Sequence, residues 1–248
     1  MTDSINFKGI HYAQCRGLAK NGKAQIIDFY KITKRDEELI QRIEKATQGN
    51  IEVPLLCATG QAKREIDSAD VFIAVCENKP IGIMSANLKG KNQDKKPYYH
   101  LHALATWGKD KQFWNNTRTN KVQNTGKGLV TILFDKAHKL KINNITLTSI
   151  YDSDIFYKKN GFITTKPGTP RKYYHDTSKD MNCDLNSELV NKNIEDIGLT
   201  FTNSTEDVSI NHLKTDFETS RIEDYIFSGL RYMRSKLSGG GKRKLQGE

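Results

Sequence analysis

Two glycines at the mouth of a helix constrain this chain more than any other feature. In Gln123-Asn124-Thr125-Gly126-Lys127-Gly128 they let the backbone turn tightly with its N–H groups pointing one way. Leu129, Ile132, Leu133, Ala137 and Leu140 then follow at the spacing of an amphipathic helix. A helix entrance with bare N–H groups at the positive end of its dipole accepts phosphate. By itself such a run also fits an ordinary loop entering an ordinary helix, so its neighbours decide what it means.

Upstream, Asp70 to Glu77 and Pro80 to Leu88 are short β-branched, apolar runs separated by Asn78-Lys79, the pattern of a hairpin. Tyr98 to Thr106 reads as a third strand. Downstream, Asn144 to Ile150 alternates apolar and polar residues, and Phe156-Tyr157-Lys158-Lys159-Asn160-Gly161-Phe162 closes a short segment on a glycine turn. Near the front, Thr33 and Asp36 form a capping pattern ahead of Leu39, Ile40, Ile43 and Ala46, which predicts a helix after a strand over 25–30.

With Gln123-x-x-Gly126-x-Gly128 and Tyr157-x-x-x-Gly161-Phe162 in this order of elements, the chain resembles the GNAT superfamily of N-acyltransferases over roughly residues 25–186. The resemblance implies an α/β chain of the α+β kind: a mixed, mostly antiparallel central sheet flanked by helices. Residues 1–24 then form an N-terminal segment, and 187–248 a C-terminal extension with an amphipathic helix and a basic tail. It also implies that Gln123, Asn124, Thr125, Gly126, Lys127 and Gly128 hold the pyrophosphate of acetyl-CoA, the acyl donor. Leu104, Ala105 and Thr106 hydrogen-bond the pantetheine arm through their backbone where their strand splays from the next. Tyr157 stands at the position of the general acid, and the stretch 51–69 shapes the acceptor pocket. One departure is plain: sixteen residues, Trp107 to Val122, separate Thr106 from Gln123, where the family has only a few.

The chemistry asks for the same parts. A lysine-like amine with a pKa near ~10.4 is protonated at neutral pH, and freeing it costs roughly 4–5 kcal/mol, so a base or a proton-accepting water chain is needed. The departing thiolate needs an acid, and a phenol with a pKa near ~10 still donates at pH 7. His100 and His102, two apart on one strand, share a face, and imidazole is a workable base at cellular pH. Of the two, His102 lies just ahead of the expected pantetheine contacts. Both histidines read equally as hydrogen-bonded, partly buried strand residues, and Tyr157 as a core aromatic.

Charge narrows the partners. The formal net charge is +10, and Lys89 to Lys127 holds nine Lys and Arg against Asp94 and Asp110. CoA phosphates explain part of this basicity, and a polyanion such as RNA would explain more, although lysine-rich solvated loops do so without a partner. Within it, Trp107, Phe113 and Trp114 lie amid Lys109, Lys111 and Arg118, either stacking on a ligand or pinning the insertion to the domain. Past residue 220, Ile222, Ile226, Leu230, Met233 and Leu237 recur at helical spacing before Gly239-Gly240-Gly241 and Lys242-Arg243-Lys244. That stripe packs on the domain, on a partner or on a second copy.

Cys15, Cys57, Cys76 and Cys183 show no metal-ligand spacing, and reduced buried thiols are expected, with no metal. The N-terminal stretch lacks the pattern of a signal peptide, and no run approaches the ~18 apolar residues of a membrane span, so a soluble cytoplasmic protein is expected. The sequence therefore predicts an acetyl-CoA-dependent N-acetyltransferase working by direct attack in a ternary complex. Its acceptor is a primary amine on a protein, an RNA-linked molecule or a small molecule. The rival is an inactive domain of the same fold that binds nucleic acid or a protein through the basic aromatic insertion.

Overall fold

Strand β3 (Asp70–Cys76) is buried at every position after its first because both its faces are covered. Val71, Ile73 and Val75 join one core layer, and Phe72, Ala74 and Cys76 join the other. A strand covered on both sides reads as a continuous apolar run, as this one does. The structure, a computed structural model, describes residues 4–19, 22–48, 53–90, 96–106, 122–149, 153–166, 178–202 and 207–214. The 107–121 part of the expected insertion, the expected helix past residue 220 and the basic tail lie outside the described residues.

The elements around β3 form a single sheet. They are β1 (Ser4–Leu18), β2 (Ala24–Ile32), β4 (Lys79–Lys89), β5 (Tyr98–Thr106), β6 (Asn144–Ser149), β7 (Ile163–Lys166), β8 (Lys179–Asp184), β9 (Thr200–Phe201) and β10 (Asp207–Lys214). The order is β10-β1-β2-β3-β4-β5-β6-β8-β7, with β9 also on β1. Every pair is antiparallel except β5 with β6. The mixed, mostly antiparallel sheet expected from the sequence is therefore present, and it runs past both expected boundaries. Strand β1 lies before residue 25, while β9, β10 and a further helix lie after residue 186.

Helices cover the two faces. On one, α1 (Glu37–Gln48) and α2 (Val53–Glu65) bury Leu39, Ile40, Ile43, Ala58 and Ala62 against β2 to β5. Burying a large aliphatic side chain contributes about 1.5–3 kcal/mol, and Leu39, Ile40 and Ile43 supply three of them on one stripe. The expected capping pair is formed. Asp36, in a short 3-10 turn at Lys34–Asp36, takes the Thr33 N–H at 3.0 Å on one oxygen and the Lys8 N–H of β1 at 3.1 Å on the other. On the opposite face lie α3 (Thr125–Lys139), α4 (Asp154–Lys159) and α5 (Ser187–Ile197). Their core includes Leu129, Leu133, Phe134, Tyr157, Phe162 and Val190.

Two close approaches fix the second layer. An ideal Cβ on Gly128 would sit 2.3 Å from the Phe29 ring, so only glycine lets α3 rest on β2 there. Gly161 has φ +92, the left-handed turn that reverses the chain from α4 into β7. Cys15, Cys76 and Cys183 are free and buried, and the side chain of Cys57 is not described. Among the described residues, no helix is long and apolar enough to cross a membrane.

Candidate active site

The entrance to α3 is held from outside the helix. Val122 bridges Ala19, the Gln123 N–H donates to the Leu18 carbonyl at 2.9 Å, and the Asn124 amide donates to the Arg16 carbonyl at 2.9 Å. Thr125 Oγ1 donates back to the Val122 carbonyl at 2.8 Å. Asn124, at φ 72, occupies the N-cap without bonding the helix through its side chain, and no acidic residue stands in the first turn. The first intrahelical bond runs from the Gly128 N–H to the Asn124 carbonyl at 2.7 Å. The N–H groups of Thr125, Gly126 and Lys127 thus have no acceptor within the helix, at the end where the dipole contributes roughly half a positive charge.

The Gly128 N–H is already used within the helix, and its Cβ direction faces Phe29 in the core, so packing alone demands glycine there. Gly126 faces the other way, its Cβ direction lying 3.2 Å from Phe156 and 3.7 Å from Thr106. The start of α3, the end of β5 and α4 converge at that point. Lys127 holds Asp196 of α5 at 2.6 Å, so its ammonium is occupied while its N–H stays at the helix mouth.

The second feature is an opening in the sheet. Strands β5 and β6 pair only at Tyr99 with Ile145, His100 with Thr146 and Leu101 with Leu147. Beyond that, β6 continues on β8 through Thr148 and Ser149, while β5 continues on β4 through Ala103 to Thr106. The two strands therefore part at His102. A bulge lies at the same place: Ala86 pairs with Leu101 and Ser85 with Ala103, leaving His102 unmatched between them. The extra residue switches faces. Tyr99 and Leu101 pack in the α3 layer, whereas Ala103 and Ala105 pack in the α1–α2 layer. Backbone groups of Ala103, Leu104, Ala105 and Thr106 on the β6 side are left unpaired with β6, and the last three are those for which the family resemblance implies pantetheine contacts.

A parallel β5/β6 pair thus parts at a bulge beside an open helix N-terminus. The order of elements and the splayed strands are those that the resemblance of the sequence to the GNAT superfamily implies. Solved structures of acetyltransferases align with this chain. One chain of the NatC complex bound to a Gag peptide and CoA is 19% identical, with 64% of this chain and 99% of that one covered and a TM-score of 0.46. The aminoglycoside 6'-N-acetyltransferase from Enterococcus faecium is 12% identical, with 62% and 94% covered and a TM-score of 0.46. A Corynebacterium glutamicum protein described as a histone acetyltransferase and related acetyltransferase is 13% identical, with 64% and 96% covered and a TM-score of 0.45. No family profile matches the sequence, and no curated protein matches it.

The expected acid and base stand on opposite faces. Tyr157 is 7% exposed and packs edge-on against Phe156 and Phe162 in the α3 layer. Burial pushes its phenol well above the ordinary range, so it stays protonated at neutral pH. His100 and His102 face the α2 side with their rings 4.7 Å apart. His100 Nδ1 lies 2.8 Å from Thr146 Oγ1, and burial, then His102 and Lys89, push the ring down to about 4 against the pull of Glu65 and Asp180. His102 is lowered by burial and then by Lys89. Its Nε2 is 2.9 Å from Asn87 Oδ1, and its Nδ1 is 3.2 Å from Glu65 Oε1.

Glu65, Asn87, Thr146 and Phe156 are the neighbours that sequence reasoning missed. Glu65 ends a helix with no apolar stripe to announce it, though Pro54 in its first turn and Lys63 and Arg64 in its last mark both ends. Of the basic stretch, Lys91, Lys95, Lys109, Lys111, Arg118 and Lys121 lie outside the described residues, as do Trp107, Phe113 and Trp114. A surface cavity of about 420 Å³ bounded by Lys23, Gln25, Asp28, Tyr30 and Asn78 shares no residue with this convergence.

Proposed function

We propose that this protein is an acetyl-CoA-dependent N-acetyltransferase that joins acyl donor and primary amine in one ternary complex. The observation that carries the reading is the parting of β5 from β6 at His102, next to the uncapped entrance of α3. The donor's pyrophosphate lies against the N–H groups of Thr125, Gly126 and Lys127, with Gln123 and Asn124 holding the loop. Its pantetheine arm runs along Leu104, Ala105 and Thr106 in the opening, pairing with backbone groups that β6 leaves unpaired. Water is excluded on the α4 side by Phe156 and Tyr157.

The amine enters from the α2 face. His102 is its base, because His100, with an affinity for protons near pH 4, drives proton transfer from an ammonium far less well. The freed lone pair attacks the thioester carbonyl carbon, and a β5 N–H beside the bulge receives the oxyanion. When the C–S bond breaks, Tyr157 gives its proton to the thiolate. Acid and base on opposite faces suit a reaction in which donor and acceptor meet through the sheet.

The test is calorimetry with CoA, followed by thiol release from acetyl-CoA with a panel of primary amines. Micromolar CoA binding with amine-dependent thiol release is the expected result. A folded protein that binds no CoA overturns the reading, and nucleic-acid binding without CoA binding favours the non-enzymatic alternative.

A further inference from the structure

Helices α1 and α2 pack on β2 to β5, and their side of the sheet continues past them onto β6 and β8. There it carries Asn144, Thr146, Thr148, Asp180, Asn182 and Asp184, because Ile145, Leu147, Met181 and Cys183 turn into the opposite core. Thr148, Asp180 and Asp184 are exposed. Four buried atoms along this face can accept hydrogen bonds and have no partner: Glu65 Oε2, Ser85 Oγ, Asn144 Oδ1 and Asn182 Oδ1. Ser85, opposite Ala103 at the bulge, is wholly buried. Unpaired buried acceptors are costly, so a ligand that brings N–H groups is favoured here.

Charge points the same way. Asp67, Asp70, Asp135, Asp154 and Asp196 each hold a lysine. Glu65, Asp180 and Asp184 hold no lysine or arginine among the described residues, and Asp180 accepts the Thr148 hydroxyl at 2.9 Å. Glu65 from α2 and Asp180 from β8 both act on the His100 ring between them, against Lys89 on β4. Lys166 of β7 stands in register with Asp180. A net charge of +10 repels cations from the chain as a whole, but a Debye length of about 8 Å at physiological salt lets the nearest groups decide.

We propose that the acceptor is a linear polyamine, an aliphatic chain with two or more ammonium groups, lying across this face from Glu65 to Asp180. The inference rests on the acyl-transfer reading and names the acceptor class within it. An ammonium has three N–H donors and no acceptor, the complement of a face of unpaired acceptors. From β5 to β8 is two strand spacings, about 10 Å, which several methylenes between charges can bridge. A polyanion such as RNA is repelled here. Transfer forms one C–N bond and breaks one C–S bond: one ammonium becomes an uncharged amide, CoA leaves as the thiol and one proton passes to solvent. The product carries one charge fewer, so it should leave the acidic face more readily than the substrate binds it.

The experiment compares n-butylamine, 1,4-diaminobutane and spermidine, by calorimetry on the full-length protein with and without CoA and by thiol release from acetyl-CoA. Affinity and kcat/KM should rise with each added ammonium, and the preference should shrink as salt is raised. In Asp180→Asn the ratio of spermidine to butylamine in both measurements should fall about threefold, the scale of one exposed ion pair. Lys89→Met should raise the affinity for spermidine. Glu65→Gln should weaken all three amines, and Asp180→Asn keeps the proposal testable if that variant folds poorly. Equal kcat/KM for butylamine and spermidine, or a ratio unchanged in folded Asp180→Asn, overturns the proposal and leaves the acyl-transfer reading standing. Spermidine binding that weakens in Asp180→Asn, with no thiol release from any amine, keeps the polyamine face and sinks the acyl-transfer reading instead. A single-stranded RNA oligonucleotide that binds this face in place of spermidine, and loses affinity in Lys89→Met, also overturns the proposal.

Discussion

Burial keeps the Tyr157 phenol protonated at neutral pH, so its proton is present for a departing thiolate, although the same burial makes it a weaker acid than a solvated phenol. Replacing Tyr157 with Phe removes one oxygen from a ring otherwise packed on Phe156 and Phe162, so folding should be nearly unchanged. Turnover should fall ~10²–10⁴-fold, the usual cost of a lost general acid. Equal turnover in single-turnover quench experiments would make Tyr157 a core aromatic only. At Gly128 the close approach to Phe29 sets the expectation. Gly128→Ala puts a methyl against Phe29 and should cost about 1–3 kcal/mol of stability, with CoA affinity per folded molecule retained. An Ala variant as stable as the parent in urea would contradict the packing role. His100 adds a pH signature. Its ring goes from an ordinary 6.5 in the unfolded chain to about 4 in the folded one, so the unfolded chain binds more protons between those values. Stability is then full above pH 6.5 and declines as pH falls toward 4. The urea midpoint of His100→Gln should decline less steeply over that window, and parallel slopes would refute the assignment.

At the scale of elements, what the sequence disclosed depended on how local the signal was. The α3 entrance, strand β5 and the Tyr157 segment are written in consecutive residues, and their spans lie within a residue or two of expectation. Strand β1 has a weak signal because the residues it turns inward are small: Ala13, Cys15 and Gly17 alternate with Gln14, Arg16 and Leu18, and Ala and Gly carry low strand propensity. The bulge at His102 has no local mark either, since it arises from a mismatch with β4 far along the chain. Glu65 reaches the site only because α2 packs on β5. Helix α5 falls in what the sequence marks only as a C-terminal extension, yet Asn186 accepts the Leu189 N–H at 2.8 Å, and Gly198 closes the other end at φ 58. It bears on the donor site through Asp196, which holds Lys127 at 2.6 Å. An exposed pair of this kind contributes about 0–1 kcal/mol, so Asp196→Asn should leave the melting temperature nearly fixed. A released Lys127 ammonium at the mouth of α3 should tighten CoA binding about threefold, in line with ~0.3–1 kcal/mol for a charge at a helix end. Unchanged or weaker binding by calorimetry would show that Lys127 has no part in the donor site.

For the whole molecule, the question is which residues make one folding unit. The resemblance outlined residues 25–186, but the helix entrance that would hold the donor is fastened to β1 through the Leu18 and Arg16 carbonyls. Tyr12 of β1 donates to Asp135 of α3 at 2.7 Å, and the Lys8 N–H donates to Asp36 ahead of α1, so one strand secures both helical layers. Removing residues 1–24 would bare the edge of β2, beside the buried Ile27 and Phe29, and leave the Gln123 N–H and Asn124 amide without their acceptors. An exposed central edge of that kind invites pairing with other chains. A fragment of 25–186 should therefore lack a cooperative urea transition and aggregate at micromolar concentration. A fragment of 1–214 keeps β1, α5, β9 and β10, and should unfold in a single transition with CoA affinity within about threefold of the full chain. The factor allows ~0.6 kcal/mol for whatever the remaining residues add. A soluble 25–186 fragment that unfolds cooperatively and binds CoA as tightly as the full chain would show instead that β1 is an accessory strand and that the entrance of α3 holds its shape without it.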